Sequence, residues 1–157
     1  SVRIDAPFGT SYLRDRHGGP IVAIAGGTGL APIRSIVRAA LDRGMPGPLH
    51  VYVGVREARD VYGEDELRAW AAAAPNLHVN VVLSEAAVVQ APHRRGLVTD
   101  AVAADFATLA GAHAYLAGPP PMVDAANELL QRLGVLRRDI HADAFYVAPR
   151  RAQGSAV

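Results

Sequence analysis

One joint in the chain constrains its fold more than any other feature. The apolar run at residues 21–25 ends in Gly26-Gly27-Thr28-Gly29, and a stretch with helical periodicity follows at once, over residues 30–43. A short β-branched and aliphatic run reads as a buried strand. Ile33, Ile36, Val37, Ala40 and Leu41 fall on one helical stripe, which closes at Gly44. Glycines between strand and helix let the backbone take positive φ and come close to a ligand. The helix behind them offers free N–H groups and the positive end of its dipole to an anion. Thr28 adds a hydroxyl donor, and Ala31-Pro32 falls in the first turn, where a missing N–H costs nothing. Read alone, the glycines could equally make only a tight strand–helix turn.

The same alternation continues along the chain. Further strand-like runs lie at residues 49–54, 77–83 and 114–117, with a weaker one at 140–145. Helical stretches lie between them, at 64–74, 98–106 and 121–133. Strand and helix in alternation predict right-handed crossovers. The expected fold is therefore α/β: a doubly wound, mostly parallel five-stranded sheet of order 3-2-1-4-5, with helices on both faces in three layers. Near-continuous apolar strands suit a sheet covered on both sides. Residues 85–95 read as a surface loop, and Trp70, at helical spacing from Leu67, reads as core.

A second turn pairs with the first. Leu116-Ala117-Gly118-Pro119-Pro120-Pro121-Met122-Val123 again lies between a strand and a helix. Ligands of doubly wound sheets sit beyond the carboxyl ends of the strands, where the strand order reverses. The two turns are thus expected to form opposite walls of one cleft, with Ala117-Gly118 as a side-chain-free surface for a flat ring.

The motif is not the common dinucleotide fingerprint. Pro32 stands where a third glycine would be, and Gly54-Val55-Arg56 stands where a ribose-binding carboxylate belongs. Arg56 at that place is suited to a 2′-phosphate, to stacking on adenine, or to solvent.

Composition removes several chemistries. All 16 basic residues are arginine, so neither a Walker lysine nor a Schiff base is available. There is no cysteine, hence no disulfide, thiolate nucleophile or Cys-ligated cluster within this chain. Cysteine absence fits a reducing cytoplasm. A net charge of +1 argues against bulk nucleic-acid binding, and no apolar run approaches a membrane span. Arg94-Arg95, Arg137-Arg138 and Arg150-Arg151 read as solvated surface, and the six histidines lack metal-ligand spacing. Glu64, Asp65 and Glu66 at a helix start are explained by the helix dipole. No side chain is singled out as catalytic.

The ordered motifs together resemble the nucleotide-binding domain of the ferredoxin–NADP reductase superfamily. They are Gly26-Gly27-Thr28-Gly29-Leu30-Ala31-Pro32, Gly54-Val55-Arg56, Tyr62 before the helix start at 64–67, Gly96-Leu97-Val98-Thr99-Asp100-Ala101-Val102, and Gly118-Pro119-Pro120-Pro121-Met122-Val123. The likeness runs from residue 2 to residue 146. Arg59-Asp60-Val61-Tyr62 and Ile140-His141-Ala142-Asp143-Ala144-Phe145-Tyr146 narrow it to the reductase components of aromatic-ring-hydroxylating dioxygenases of the naphthalene type.

That resemblance implies a division of labour. A β-barrel binds FAD, the α/β domain binds NADH or NADPH, and a [2Fe–2S] centre sits in a fused domain or a partner. Hydride passes from nicotinamide to flavin and single electrons pass on to a ferredoxin or the oxygenase component. By the same likeness Gly27, Thr28 and Gly29 hold the pyrophosphate, with Gly26, Ala31 and Pro32 beside them in the cofactor-binding set, and Arg56 and Tyr62 flank the adenosine, with Tyr62 suited to adenine stacking. Gly118, Pro119 and Met122 shape the nicotinamide pocket, with Ala117 and Pro120 also in the cofactor-binding set, and Phe145 lies near the flavin. Likeness to the dioxygenase reductases favours NADH, whereas Arg56 favours NADPH.

The sequence departs from the family pattern in two places. Ala117 stands where many members carry cysteine, which removes any thiol contribution. Residues 2–10 resemble the last strand of the flavin barrel, so 1–19 is expected to be a barrel remnant, 20–146 the nucleotide-binding domain and 147–157 a flexible tail. Such a chain is not expected to bind flavin stably or reduce ferredoxin alone. The rival expectation is a regulatory module that senses NAD(H), and a more distant one is a flavodoxin-like mononucleotide binder.

Overall fold

The computed structural model describes residues 12–14 and 17–146. The expected barrel strand at 2–10, the tail at 147–157 and the pair Arg150-Arg151 lie outside the described residues.

Six parallel strands form one sheet. They are β1 (Ile21–Gly26), β2 (Leu49–Val55), β3 (Leu77–Leu83), β4 (Arg94–Arg95), β5 (His113–Gly118) and β6 (Ile140–Ala144). Their order is β4-β3-β2-β1-β5-β6. Every pairing is parallel. Helices α1 (Leu30–Asp42), α2 (Glu64–Ala73), α3 (Val98–Asp105) and α4 (Pro120–Arg132) make the crossovers. The expected five strands occur in the expected order, with β4 added at one edge.

Strand alternation divides the core into two halves. Ile21, Ala23 and Ala25 of β1, alternate residues of β2, and Tyr115 and Ala117 of β5 face a cluster with Ile33, Ile36 and Val37 of α1 and Leu67 of α2. Val22, Ile24, Tyr52, Ala114 and Leu116 face the other cluster, with Val98 and Val102 of α3 and Val123, Ala126 and Leu130 of α4. All six residues of β1 are buried, because the central strand is covered on both sides. The order reverses at β1, which pairs with β2 on one side and β5 on the other.

Two side chains differ from expectation. Trp70 is only half-buried: it packs at the margin of the α1–α2 cluster, with the Arg38 guanidinium 5.7 Å from its ring centre. Arg94 is not simply solvated. In β4 it pairs with Val82 of β3, and its guanidinium donates to Asp105 at the end of α3, 2.5 Å away. Residues 94 and 95 carry no apolar signal, so an arginine pair read as loop is in fact the edge strand.

Asp105 also accepts a 2.7 Å hydrogen bond from the hydroxyl of buried Tyr52 on β2. Burial, and then this bond to a carboxylate, push the Tyr52 hydroxyl well above its ordinary pKa. The Arg94 hydrogen bond, aided by Tyr52, holds the Asp105 carboxyl below its ordinary value against the opposing effect of burial. One carboxylate thus ties α3 to β2 and β4.

Tyr52→Phe should cost about 1 kcal/mol in urea unfolding, the net worth of one hydrogen bond. Asp105 stabilises the fold while ionised, fully so above the unfolded carboxylate pKa near ~3.9. That contribution is lost as pH falls through its lower folded value. The gap in urea midpoint between the native chain and Asp105→Asn should therefore be wide at about pH 7 and narrow below roughly pH 3.

Candidate functional site

The strand order that reverses at β1 leaves an opening at the carboxyl edge of the sheet. A cleft of about 450 Å³ occupies it. Gly26, Gly27, Gly54, Arg56, Pro119 and Met122 contribute to its walls, and so do Asp60, Ser84, Leu97 and Val98. This size suits a dinucleotide-class ligand. The lining is mainly apolar, with a few polar groups at the ends of β2 and β3.

The two turns touch directly. Gly118 has φ +151, and a Cβ there would stand 3.0 Å from the backbone of Gly26. A Cβ on Gly26 would meet Met122 Sδ at 2.6 Å and Pro119 Cδ at 2.9 Å. A Cβ on Gly29 would collide with the carbonyl of Ala117 and stand 2.8 Å from the Gly118 nitrogen. Those three glycines are required by packing of the β1 turn on the β5 turn. Gly27 is different. It has φ +52, is exposed, and has no atom within 4 Å of where its Cβ would be.

Gly27–Gly29 form a single 3₁₀ turn that runs straight into α1. Gly27 and Thr28 are exposed there, while Gly29 and Leu30 are buried. An exposed backbone at a helix N-terminus is an anion-binding arrangement. α1 carries no acidic residue in its first turn to occupy it.

The expected residues divide between cleft and support. Gly26, Gly27, Arg56, Pro119 and Met122 line the cleft. Thr28 adjoins it on the turn. Ala117 and Gly118 are buried, so the wall of the β5 turn is built by Pro119 and Met122 instead. The Ala117 side chain faces α1, and the space above Gly118 is filled by Gly26. Pro120 opens α4, one residue earlier than the sequence suggested. Ala31 and Pro32 lie within α1, with Ala31 on its outer side, along a shallow groove with α2. Phe145 follows β6; its N–H donates to the Gly118 carbonyl at 2.9 Å, and its ring packs at the margin of the α1–α2 cluster. Tyr62 is 41% exposed and donates its hydroxyl to the Thr28 carbonyl at 3.2 Å, outside the cleft lining.

Sequence reasoning missed the β3–β4 side of the cleft. Ser84 follows β3; its N–H donates to Val55 O at 3.0 Å, and that of Glu85 donates to Arg56 O at 2.9 Å. Arg95 of β4 pairs with Leu83, the residue before Ser84. Arg56 and Ser84 line the cleft, whereas Arg95, exposed as they are, shares the face of Leu83 and the α1–α2 cluster, opposite the Val82 and Val98 side. Neither arginine makes an ion pair among the described residues. Asp60, also at the cleft, accepts from the Glu57 N–H at 3.0 Å as the cap of a short turn. Leu97 is 58% exposed, an apolar side chain left open at the mouth. The exposed apolar residue directly after Gly96 was the available signal.

Titratable groups with marked shifts lie away from the cleft or at its supports. Burial would raise the Glu64 carboxyl, but hydrogen bonds from His93 and Arg68 outweigh it and hold the group below its ordinary value. Burial lowers His113 and His141, on β5 and β6.

The family model for the oxidoreductase NAD-binding domain matches residues 23–128. The chain is 54% identical, over 93% of its length, to 44% of the ferredoxin–NAD(P)+ reductase component of the naphthalene 1,2-dioxygenase/salicylate 5-hydroxylase systems of Ralstonia sp. It is 44% identical, again over 93% of its length, to 44% of the corresponding naphthalene dioxygenase component of Pseudomonas putida. Among solved structures, the ferredoxin reductase in carbazole 1,9a-dioxygenase superposes with a TM-score of 0.77 at 34% identity, covering 90% of this chain and 42% of that one. The chain spans less than half the length of these relatives.

Packing and ligand space separate the glycines experimentally. Gly29→Ala should cost about 3 kcal/mol or more in urea unfolding, because backbone on both sides cannot yield. Gly27→Ala should cost only about 1 kcal/mol, the penalty of a left-handed alanine in open space. Equal losses at the two positions would contradict this division.

Proposed function

The chain belongs to the oxidoreductase NAD-binding domain family, and on that basis we propose that it is the pyridine-nucleotide-binding part of a longer flavin-dependent ferredoxin reductase serving an aromatic-ring dioxygenase. The supporting observation is the exposed Gly27-Thr28 step. It has positive φ, empty space above it and a helix N-terminus behind it, at the mouth of a cleft of about 450 Å³. These residues fit a pyrophosphate: a small, doubly anionic group that needs backbone N–H donors and no side chain in its way.

From that anchor the rest of the dinucleotide has two directions to go. Toward β5, Gly26, Pro119 and Met122 form a stiff, largely apolar wall for the nicotinamide. Pro119–Pro121 fix that wall, because three successive φ angles are preset. Toward β2 and β3, Leu97 and Val98 offer apolar area to the adenine, while Arg56 and Ser84 stand at the end where a ribose 2′-phosphate would sit. Exposed Arg56, without a carboxylate partner among the described residues, favours acceptance of NADPH alongside NADH.

When bound, the nucleotide supplies a hydride and the flavin of the adjoining domain receives it. The chain's own contribution is binding, orientation and exclusion of water. No cleft residue needs to move a proton in that step, and the one cleft carboxylate, Asp60, is engaged as a turn cap. On this reading Phe145, whose N–H is bonded to the Gly118 carbonyl, would mark the flavin-facing side. FAD would be held by a barrel domain of the same polypeptide. A [2Fe–2S] centre in a fused domain or ferredoxin would take the electrons onward, in the cytoplasm. Among the described residues, no helix is long and apolar enough to cross a membrane.

Calorimetric titration of the chain with NADH and NADPH checks the reading. Both should bind. Arg56→Ala should weaken NADPH about tenfold or more, as loss of a charge-assisted hydrogen bond does, and leave NADH within about twofold. Equal losses for both nucleotides would remove the phosphate role; no heat with either would remove the site.

A further inference from the structure

The Tyr62 hydroxyl reaches across 34 residues to the Thr28 carbonyl, at 3.2 Å. The covalent structure explains why that carbonyl needs a donor. The 3₁₀ turn at Gly27–Gly29 continues directly into α1, so the backbone is helical throughout. The nitrogen that such a path brings to Thr28 O, four residues on, belongs to Pro32, which has no hydrogen. The nearby Leu30 N–H is shared between the carbonyls of Gly27 and Thr28. Beyond its half-share of the Leu30 N–H, the Thr28 carbonyl takes the Tyr62 hydroxyl as donor in the place that Pro32 cannot fill.

The bond sits where the turn is otherwise least supported. Gly29 is gripped by the backbone of Ala117 and Gly118, but Gly27 touches nothing and Thr28 is exposed. The Thr28 carbonyl and the Gly29 N–H belong to one planar peptide and point in opposite senses. Fixing the oxygen therefore fixes the N–H. Tyr62 is itself anchored. Gly63, with φ +68, starts α2 beside it, the Arg34 side chain of α1 packs against Gly63, and Arg34 pairs with Glu66.

We propose that Tyr62 is a positioning residue whose hydroxyl, through the Thr28 carbonyl, sets the glycine turn in the conformation that receives the pyrophosphate. The proposal rests on the nucleotide-binding reading above and replaces adenine stacking as the role of Tyr62. Its ring serves to carry the hydroxyl.

Four variants of the whole chain test it: Tyr62→Phe, Tyr62→Ala, Pro32→Ala and the double variant Tyr62→Phe/Pro32→Ala. ADP-ribose is the probe, because it carries the pyrophosphate without the nicotinamide. Tyr62→Phe and Tyr62→Ala should raise its Kd by the same factor, about threefold to tenfold. Pro32→Ala restores an N–H facing Thr28 O, so the double variant should bind within about twofold of Pro32→Ala alone. In the ligand-free chain, amide hydrogen exchange at Gly29 and Leu30 should quicken in Tyr62→Phe and slow again in the double variant. The proposal is overturned if Tyr62→Phe binds like the native chain while Tyr62→Ala is weak, since the ring would then be the active part. It is also overturned if Pro32→Ala rescues neither binding nor exchange. Failure of the native chain to bind ADP-ribose would instead remove the nucleotide-binding reading, and the exchange comparison would still decide whether Tyr62 holds the turn.

Discussion

The close approach of the β1 and β5 turns, backbone against backbone, is the constraint on which the site depends. Gly26 and Gly118 meet with no room for a Cβ on either, and Gly29 sits against the carbonyl of Ala117. Two strand ends side by side at the point of reversal would otherwise be wedged apart by side chains. With them together, α1 and α4 begin close to one another on opposite sides of the sheet, and their first turns bound one cleft. The glycines that look like ligand contacts in the sequence are chiefly contacts between these turns. Gly27 alone of the four in this neighbourhood is left facing empty space, so little of the motif is free of packing demands.

That distribution explains why the site contains so little titratable chemistry. The elements around the cleft are tied by backbone hydrogen bonds, prolines and apolar contacts, while the shifted groups stand elsewhere. Tyr52 and Asp105 lock α3 to the sheet, and Glu64 is held by Arg68 and His93 at the start of α2. On the proposed reading, a site that would only have to hold two ring systems at a fixed distance gains from stiffness and loses nothing by lacking an acid or base.

Much of this was legible in the sequence, for identifiable reasons. Buried parallel strands announce themselves as apolar runs, and glycine or proline marks the ends of the helices, so the strand order of the five longer strands could be read directly. The fold class rested on covalent geometry and burial, both local in sequence. What could not be read was pairing at a distance. Arg94-Arg95 has no apolar pattern, and its strand character comes from Val82 and Leu83 alongside it. Ala117 looked like an open wall because its neighbours are small, yet its side chain faces α1. Tyr62 looked like a stacking ring because it is aromatic and near the cleft. Its hydroxyl bond to a residue 34 positions away depends on how α2 enters the fold.

The two arginines of β4 show how fine this tertiary control is. Side chains alternate along a strand, so adjacent residues must face opposite sides of the sheet. Arg94 falls on the side of α3, is half-buried, and is consumed by Asp105 and, through it, Tyr52. Arg95 falls on the other side, exposed and without an ion pair among the described residues. A slip of one residue in the pairing with β3 would exchange their roles, placing Arg95 against Asp105 and freeing Arg94. Only two residues pair, so the strand's own hydrogen bonds hold this register weakly. The Arg94–Asp105–Tyr52 network therefore has a second effect beyond stability. By claiming one arginine for the interior it decides which arginine is left exposed on the opposite face of the edge strand.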